Sequence, residues 1–109
     1  MTEYKSPITG HLEIVVTENS DSLEGQVIHW KEILIHGDPK GLKSLGKLLI
    51  EIADLDQESL TELPIGAREH VHLRPKNELS NNSNETIVGR LDAKGTGAFP
   101  TQYILKNNL

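Results

Sequence analysis

The sequence predicts an α+β fold, in two layers: one main amphipathic helix against a mainly antiparallel sheet of about five strands, in the order β-β-α-β-β-β. Three observations lead there. Several short segments alternate apolar and polar residues with a period of two. One longer segment repeats apolar residues at helical spacing. The 109 residues show no internal repeat or linker, which fits a single domain over 1–109. Apolar residues make up only 36% of the chain, too few for a deep interior, so one sheet face is expected to stay open.

The elements follow in order. Leu12, Ile14 and Val16 alternate with His11, Glu13 and Thr17, which predicts a strand over 11–17. Residues 18–25 read as a polar turn. A second extended segment, 26–36, is rich in Val, Ile and Trp. Its apolar parity slips between Ile28-His29-Trp30 and Ile33-Leu34-Ile35, as a bulge or burial on both faces would produce. Asp38 and Pro39 then supply a helix cap and a first helical residue. Leu42, Leu45, Leu49 and Ile52 form the apolar stripe, widened by Leu48 and Leu55, with Lys40, Lys43 and Lys47 mostly opposite. A further helical turn is expected after it, capped by Asp56, with Leu55 against Leu60 and an end at Pro64 and Gly66. Strands are expected over 69–74, with Val71 and Leu73 facing in, over 86–91, and briefly over 103–105. Residues 81–84 read as a loop and 94–100 as a Gly-rich turn.

Composition narrows the function classes. Cysteine is absent, which excludes disulfides and thiolate metal sites. No stretch approaches the ~20 apolar residues of a membrane span. Residues 1–10 include Glu3 and Lys5 and no apolar run, so no secretory signal is expected there and the cytoplasm is the default location. Net charge is −5, all of it from residues 1–56, which hold ten acids and five bases. That balance argues against direct nucleic-acid binding, which uses Lys and Arg to displace counterions from phosphates. Mild acidity serves solubility in many proteins, and it also fits a basic partner.

Candidate chemistry is sparse. His70 and His72, two apart on a strand, point to one face, and His11 joins them if the strands are neighbours. Three imidazoles would suit a hydrolytic zinc centre, yet no further spaced ligand or general base accompanies them. A solvated sheet face explains them more simply. Trp30, the sole tryptophan, is either a core residue under the helix or a binding anchor beside a ligand pocket. Lys94-Gly95-Thr96-Gly97 superficially matches a phosphate-cradling loop, but Pro100 and an extended segment follow where a helix should start. There is no nucleophile elbow, and no isolated acid–base pair stands in an apolar run. No catalytic residue and no cofactor are expected.

Glu51, Asp54, Asp56, Glu58 and Glu62 crowd the end of the helix and the segment after it. Acids there oppose the helix dipole by about 0.3–1 kcal/mol each at low salt. Either the helix stops near Ala53 and these are solvated loop acids, or a basic partner surface justifies them.

One resemblance covers most of the chain after Gln26. It rests on His36-Gly37-Asp38-Pro39-Lys40-Gly41-Leu42, Leu45, Leu48-Leu49 and Ala53, then on His70-Val71-His72-Leu73-Arg74-Pro75. Ser83, Ile87, Arg90-Leu91 and the run from Gly95 to Pro100 extend it. In these the chain resembles small bacterial immunity proteins of polymorphic toxin systems. The resemblance implies an α+β protein without catalytic residues that binds and neutralises a cognate protein toxin in the cell that makes it. Candidate contacts are then the acids Glu51, Asp54, Asp56, Glu58 and Glu62 with the strand residues His70, His72 and Arg74. Homo-oligomerisation is left open. Neutralising Glu51, Asp54, Asp56 and Glu58 together is expected to slow association with a basic partner and flatten its salt dependence in stopped-flow kinetics. Unchanged kinetics would remove the acid cluster from the encounter.

Overall fold

The structure, a computed structural model, describes residues 5–100 and 102–106, so the start of the N-terminal stretch, 1–4, lies outside it. Its elements are β1 (Leu12–Leu23), β2 (Gln26–Gly37), α1 (Pro39–Asp54), a 3-10 turn (Gln57–Ser59), β3 (His70–Leu73) and β4 (Thr86–Gly89). The α+β class and the single α-helix agree with the sequence reading. The sheet does not: four strands among the described residues form two two-stranded sheets, β1-β2 and β3-β4, where one sheet of about five was expected. Residues 103–105 are not a strand, because the Tyr103 N–H closes a turn onto the Pro100 carbonyl and its ring stacks on Phe99 with centroids 5.1 Å apart.

The chain gathers into two compact units. One comprises 1–48 with 72–86, the other 49–71 with 87–109.

The first unit is organised by a long antiparallel hairpin. Its register runs unbroken from Leu12↔Gly37 to Leu23↔Gln26. The strands therefore extend far past residue 17, and the turn shrinks to Glu24-Gly25, with φ 51 and 81. Two positive φ values are what a two-residue turn needs to match the strand twist. The parity slip in β2 has neither expected cause. No bulge interrupts the ladder, and β2 is exposed along most of its length instead of buried on both faces. Leu12 and Ile14 of β1 are buried, as are Ile8, Leu48, Leu73 and Leu79 of the same unit.

Asp38 joins this hairpin to the helix. Its Oδ1 accepts from the backbone N–H of Gly41, three residues on, at 2.7 Å, as a capping residue should. The same oxygen accepts from the N–H of His11 at 3.0 Å, and the Asp38 N–H donates to the His11 carbonyl at 3.1 Å. The buried line along α1 runs through Gly41, Leu48 and Ile52, with Leu42 and Leu49 at its exposed margin. Gly41 is on that line because any Cβ there would overlap the His11 carbonyl.

The second unit has little apolar interior. Its buried residues among those described are Ile52 and Gln57. Asp56 stands before the 3-10 turn as expected but its side chain makes no capping bond.

The two glycines of α1 separate propensity from packing. Gly46→Ala, with nothing within 4 Å of the new Cβ, should stabilise the fold by about 0.5–1 kcal/mol in urea unfolding. Gly41→Ala should destabilise it by about 1–3 kcal/mol or more, despite the same gain in helix propensity.

Candidate partner-binding surface

The β1-β2 hairpin presents two different edges. On β1, the Leu12 and Ile14 carbonyls accept from the N–H groups of Ser80 and Asn84. The Ile14 N–H donates to Ser83 Oγ and the Val16 N–H to Asn84 Oδ1. The 80–84 loop thus closes that edge over its first residues. β2 pairs with β1 alone among the described residues, so its other edge is open.

The open strand is also apolar. Val27, Ile28, Trp30, Ile33 and Ile35 are all exposed, Ile33 by 68%. Scattered exposed apolar residues need no explanation, but five on one unpaired edge strand, three on one face and two on the other, do. Trp30 is therefore not a core residue under the helix. Its Nε1 donates to Glu32 Oε1 at 3.3 Å, and the shallow cavity of about 260 Å³ beside it is lined wholly by the hairpin.

Cross-strand partners share a face, which sorts the charges. One face pairs Glu18 with Lys31. The other carries Glu13, Asp21 and Glu32 beside Ile28, Trp30 and Leu34, with no Lys or Arg. Glu13 is fixed there: Asn82 Nδ2 donates to its Oε2 at 2.7 Å, and His36 Nδ1 lies 3.3 Å from its Oε1. These contacts, Asn82 first, hold the Glu13 carboxyl below its ordinary pKa. Glu13, His36, Asp38 and Glu78 border an open cleft of about 520 Å³.

The residues singled out in the sequence are placed as follows. His70 and Arg74 are exposed, and His72 is half-buried rather than on a fully open face. His70 Nδ1 lies 3.1 Å from the Arg68 carbonyl, and Arg74 Nε lies 3.6 Å from Glu85 Oε1. Among the described residues no three His, Cys, Asp or Glu side chains gather closely enough to hold a metal ion, His11, His70 and His72 included. The glycine-rich turn is no phosphate cradle: Lys94 Nζ donates to the Leu60 and Leu63 carbonyls, and the Gly95 N–H to Glu58 Oε1 at 2.8 Å.

That last contact engages one carboxylate oxygen of Glu58, which itself stays exposed. Glu51, Asp54, Asp56 and Glu62 remain exposed. Their opposition to the helix dipole has an internal answer that the sequence reading missed. Arg90 Nη1 donates to the carbonyls of Ile52, Ala53 and Leu55 at 3.1, 3.4 and 2.8 Å. Its Nε and Nη2 donate in parallel to the two carboxylate oxygens of Asp92, each at 2.8 Å. Buried Gln57 donates to Asp92 and accepts from the Glu69 N–H at 2.7 Å. The available signal was the absence of any base in the last turn of α1, which left its carbonyls in need of a donor from elsewhere.

The family model described as Immunity protein 32 matches residues 32–91, more than half of the chain. The chain belongs to that family. The matched span of this immunity-family member begins within β2 and takes in α1, β3, β4 and Arg90. Neither curated proteins nor solved structures match it.

The Arg90 network predicts a pH response. Arg90 holds the Asp92 carboxyl below its ordinary pKa, and the His11 and Gly41 N–H groups do the same for Asp38. A depressed folded-state pKa stabilises fully above the unfolded value, near ~3.9, and that stability is lost as pH falls through the folded value. Asp92→Asn and Asp38→Asn should each lower stability at neutral pH and flatten its loss below pH ~4 in urea unfolding. Arg90→Lys should lower the midpoint almost as far as Arg90→Met, because an ammonium cannot span a carboxylate and three carbonyls at once.

Proposed function

We propose that this immunity-family member binds a cognate protein toxin in the cytoplasm of the bacterium that makes both, and neutralises it by occupying its surface rather than by catalysis. Membership of the Immunity protein 32 family is the observation that carries the reading. Three features of the molecule support it. No helix of the described residues is long and apolar enough to cross a membrane. The hairpin offers exposed apolar area of the kind that anchors protein interfaces, with a tryptophan among it. The chain is acidic, and the hairpin itself holds Glu13, Glu18, Asp21, Glu24 and Glu32 against Lys31 alone.

The partner's interacting surface is accordingly basic. Glu51, Asp54, Asp56 and Glu62 act at long range, raising the encounter rate without being buried in the contact. Such steering requires only exposure and sign, which these carboxylates have. His70 and Arg74 are exposed and are secondary contact candidates, with half-buried His72 beside them in sequence.

The test is a rescue experiment. The C-terminal domain of the protein encoded immediately upstream in the native genome is expressed in a tractable bacterium, with and without this chain, and survivors are counted. Killing that this chain alone prevents, with co-purification of the pair, is the expected result. Toxicity that this chain leaves untouched would overturn the reading.

A further inference from the structure

Backbone direction alternates along a strand, so the bonds already made on β1 reveal which groups of β2 are open. Leu12, Ile14 and Val16 direct their N–H and carbonyl groups outward, to residues 80–84. Residues 13, 15, 17, 19, 21 and 23 therefore face β2 and bond to their register partners 36, 34, 32, 30, 28 and 26. It follows that Val27, His29, Lys31, Ile33 and Ile35 present N–H and carbonyl groups away from β1. Their side chains lie on one face of the hairpin, and those of Ile28, Trp30, Glu32 and Leu34 on the other.

We propose that this edge of β2 receives an extended segment of the toxin by antiparallel or parallel strand addition, and that the segment alternates apolar side chains with Lys or Arg. The proposal rests on the toxin-neutralising reading above and names its docking element. Main-chain bonds to an open edge supply affinity, and alternate side chains supply specificity. Here the face of Ile28, Trp30 and Glu32 carries carboxylates from both strands and no Lys or Arg, so it selects apolar and basic neighbours. The opposite face offers Val27, Ile33 and Ile35 around Lys31, whose charge is matched by Glu18 across the hairpin.

A second copy of this chain fits the edge less well. Of the antiparallel self-pairings with the correct bond parity, the two that engage the strand most fully are centred on residue 31 and on residue 32. The first sets Lys31 against Lys31 and the second sets Glu32 against Glu32. Like charges directly opposite are destabilising. A lysine in the middle of an exposed edge is also a common defence against self-association.

The experiment uses the toxin domain that passes the rescue assay. Amide hydrogen exchange is followed by NMR in the free chain and in the complex. The outward amides of Val27, His29, Lys31, Ile33 and Ile35 should slow by more than about tenfold on binding, while their β1-bonded neighbours 28, 30, 32 and 34 are protected in both states. In parallel, Ile33→Pro removes one outward N–H and no bond to β1, a change that edge strands tolerate. It should weaken binding by about tenfold to a hundredfold, and Ile33→Ala by clearly less. Unchanged outward amides, or equal losses in the two variants, would overturn strand addition while leaving toxin neutralisation standing. Absence of binding by the unaltered chain would overturn both.

Discussion

An α-helix leaves donors unpaired at its start and acceptors unpaired at its end, and the arrangement of this chain follows from how α1 meets that requirement. At its start, one carboxylate oxygen of Asp38 serves both the Gly41 N–H and the N–H of His11. The cap is therefore also the tie between the helix and the first residues of the hairpin. The close approach it enforces leaves no room for a side chain at Gly41. At the other end, where the sequence places acids instead of bases, Arg90 reaches three carbonyls and is held in place by Asp92. In a unit with almost no apolar interior, that polar network, with Gln57 at its buried centre, takes the place of a packed core.

The hairpin is the counterpart of this economy. Its root is anchored by buried Leu12 and Ile14 and by the 80–84 loop, whereas most of β2 is left in solvent with its apolar side chains exposed. Burying those side chains and satisfying that edge would be favourable, and nothing among the described residues does either. A domain selected only to fold would not keep such a strand. A domain selected to bind has reason to, and the family assignment agrees with that logic.

Local signals were legible in proportion to how local their causes are. The helix, its Asp38-Pro39 start, the short strand at 70–73 and the glycine-rich turn could all be read from neighbouring residues. Residues 18–23 read as a turn because they are polar, but a strand solvated on both faces carries no alternation to detect. The slip of parity in β2 arose from the same cause, since a strand exposed on both faces has no reason to keep its apolar residues to one of them. The segment 103–105 had strand-like composition, yet a strand forms only where an edge is available to it, and its backbone turned onto Pro100 instead. Arg90 was visible only as part of a family pattern, because the helix-end carbonyls it serves lie 35 residues or more away in the chain.

The sequence by itself determined the α+β class, the position and capping of α1, the acidity of the chain and the family to which it belongs. These depend on spacing, composition and short-range hydrogen bonding. The tertiary structure alone decided the length of the hairpin, the division into two small sheets, the use of Arg90 at the helix end and the openness of β2. Each of those depends on which distant backbone groups find partners, and pairing between distant groups leaves no periodic trace along the chain.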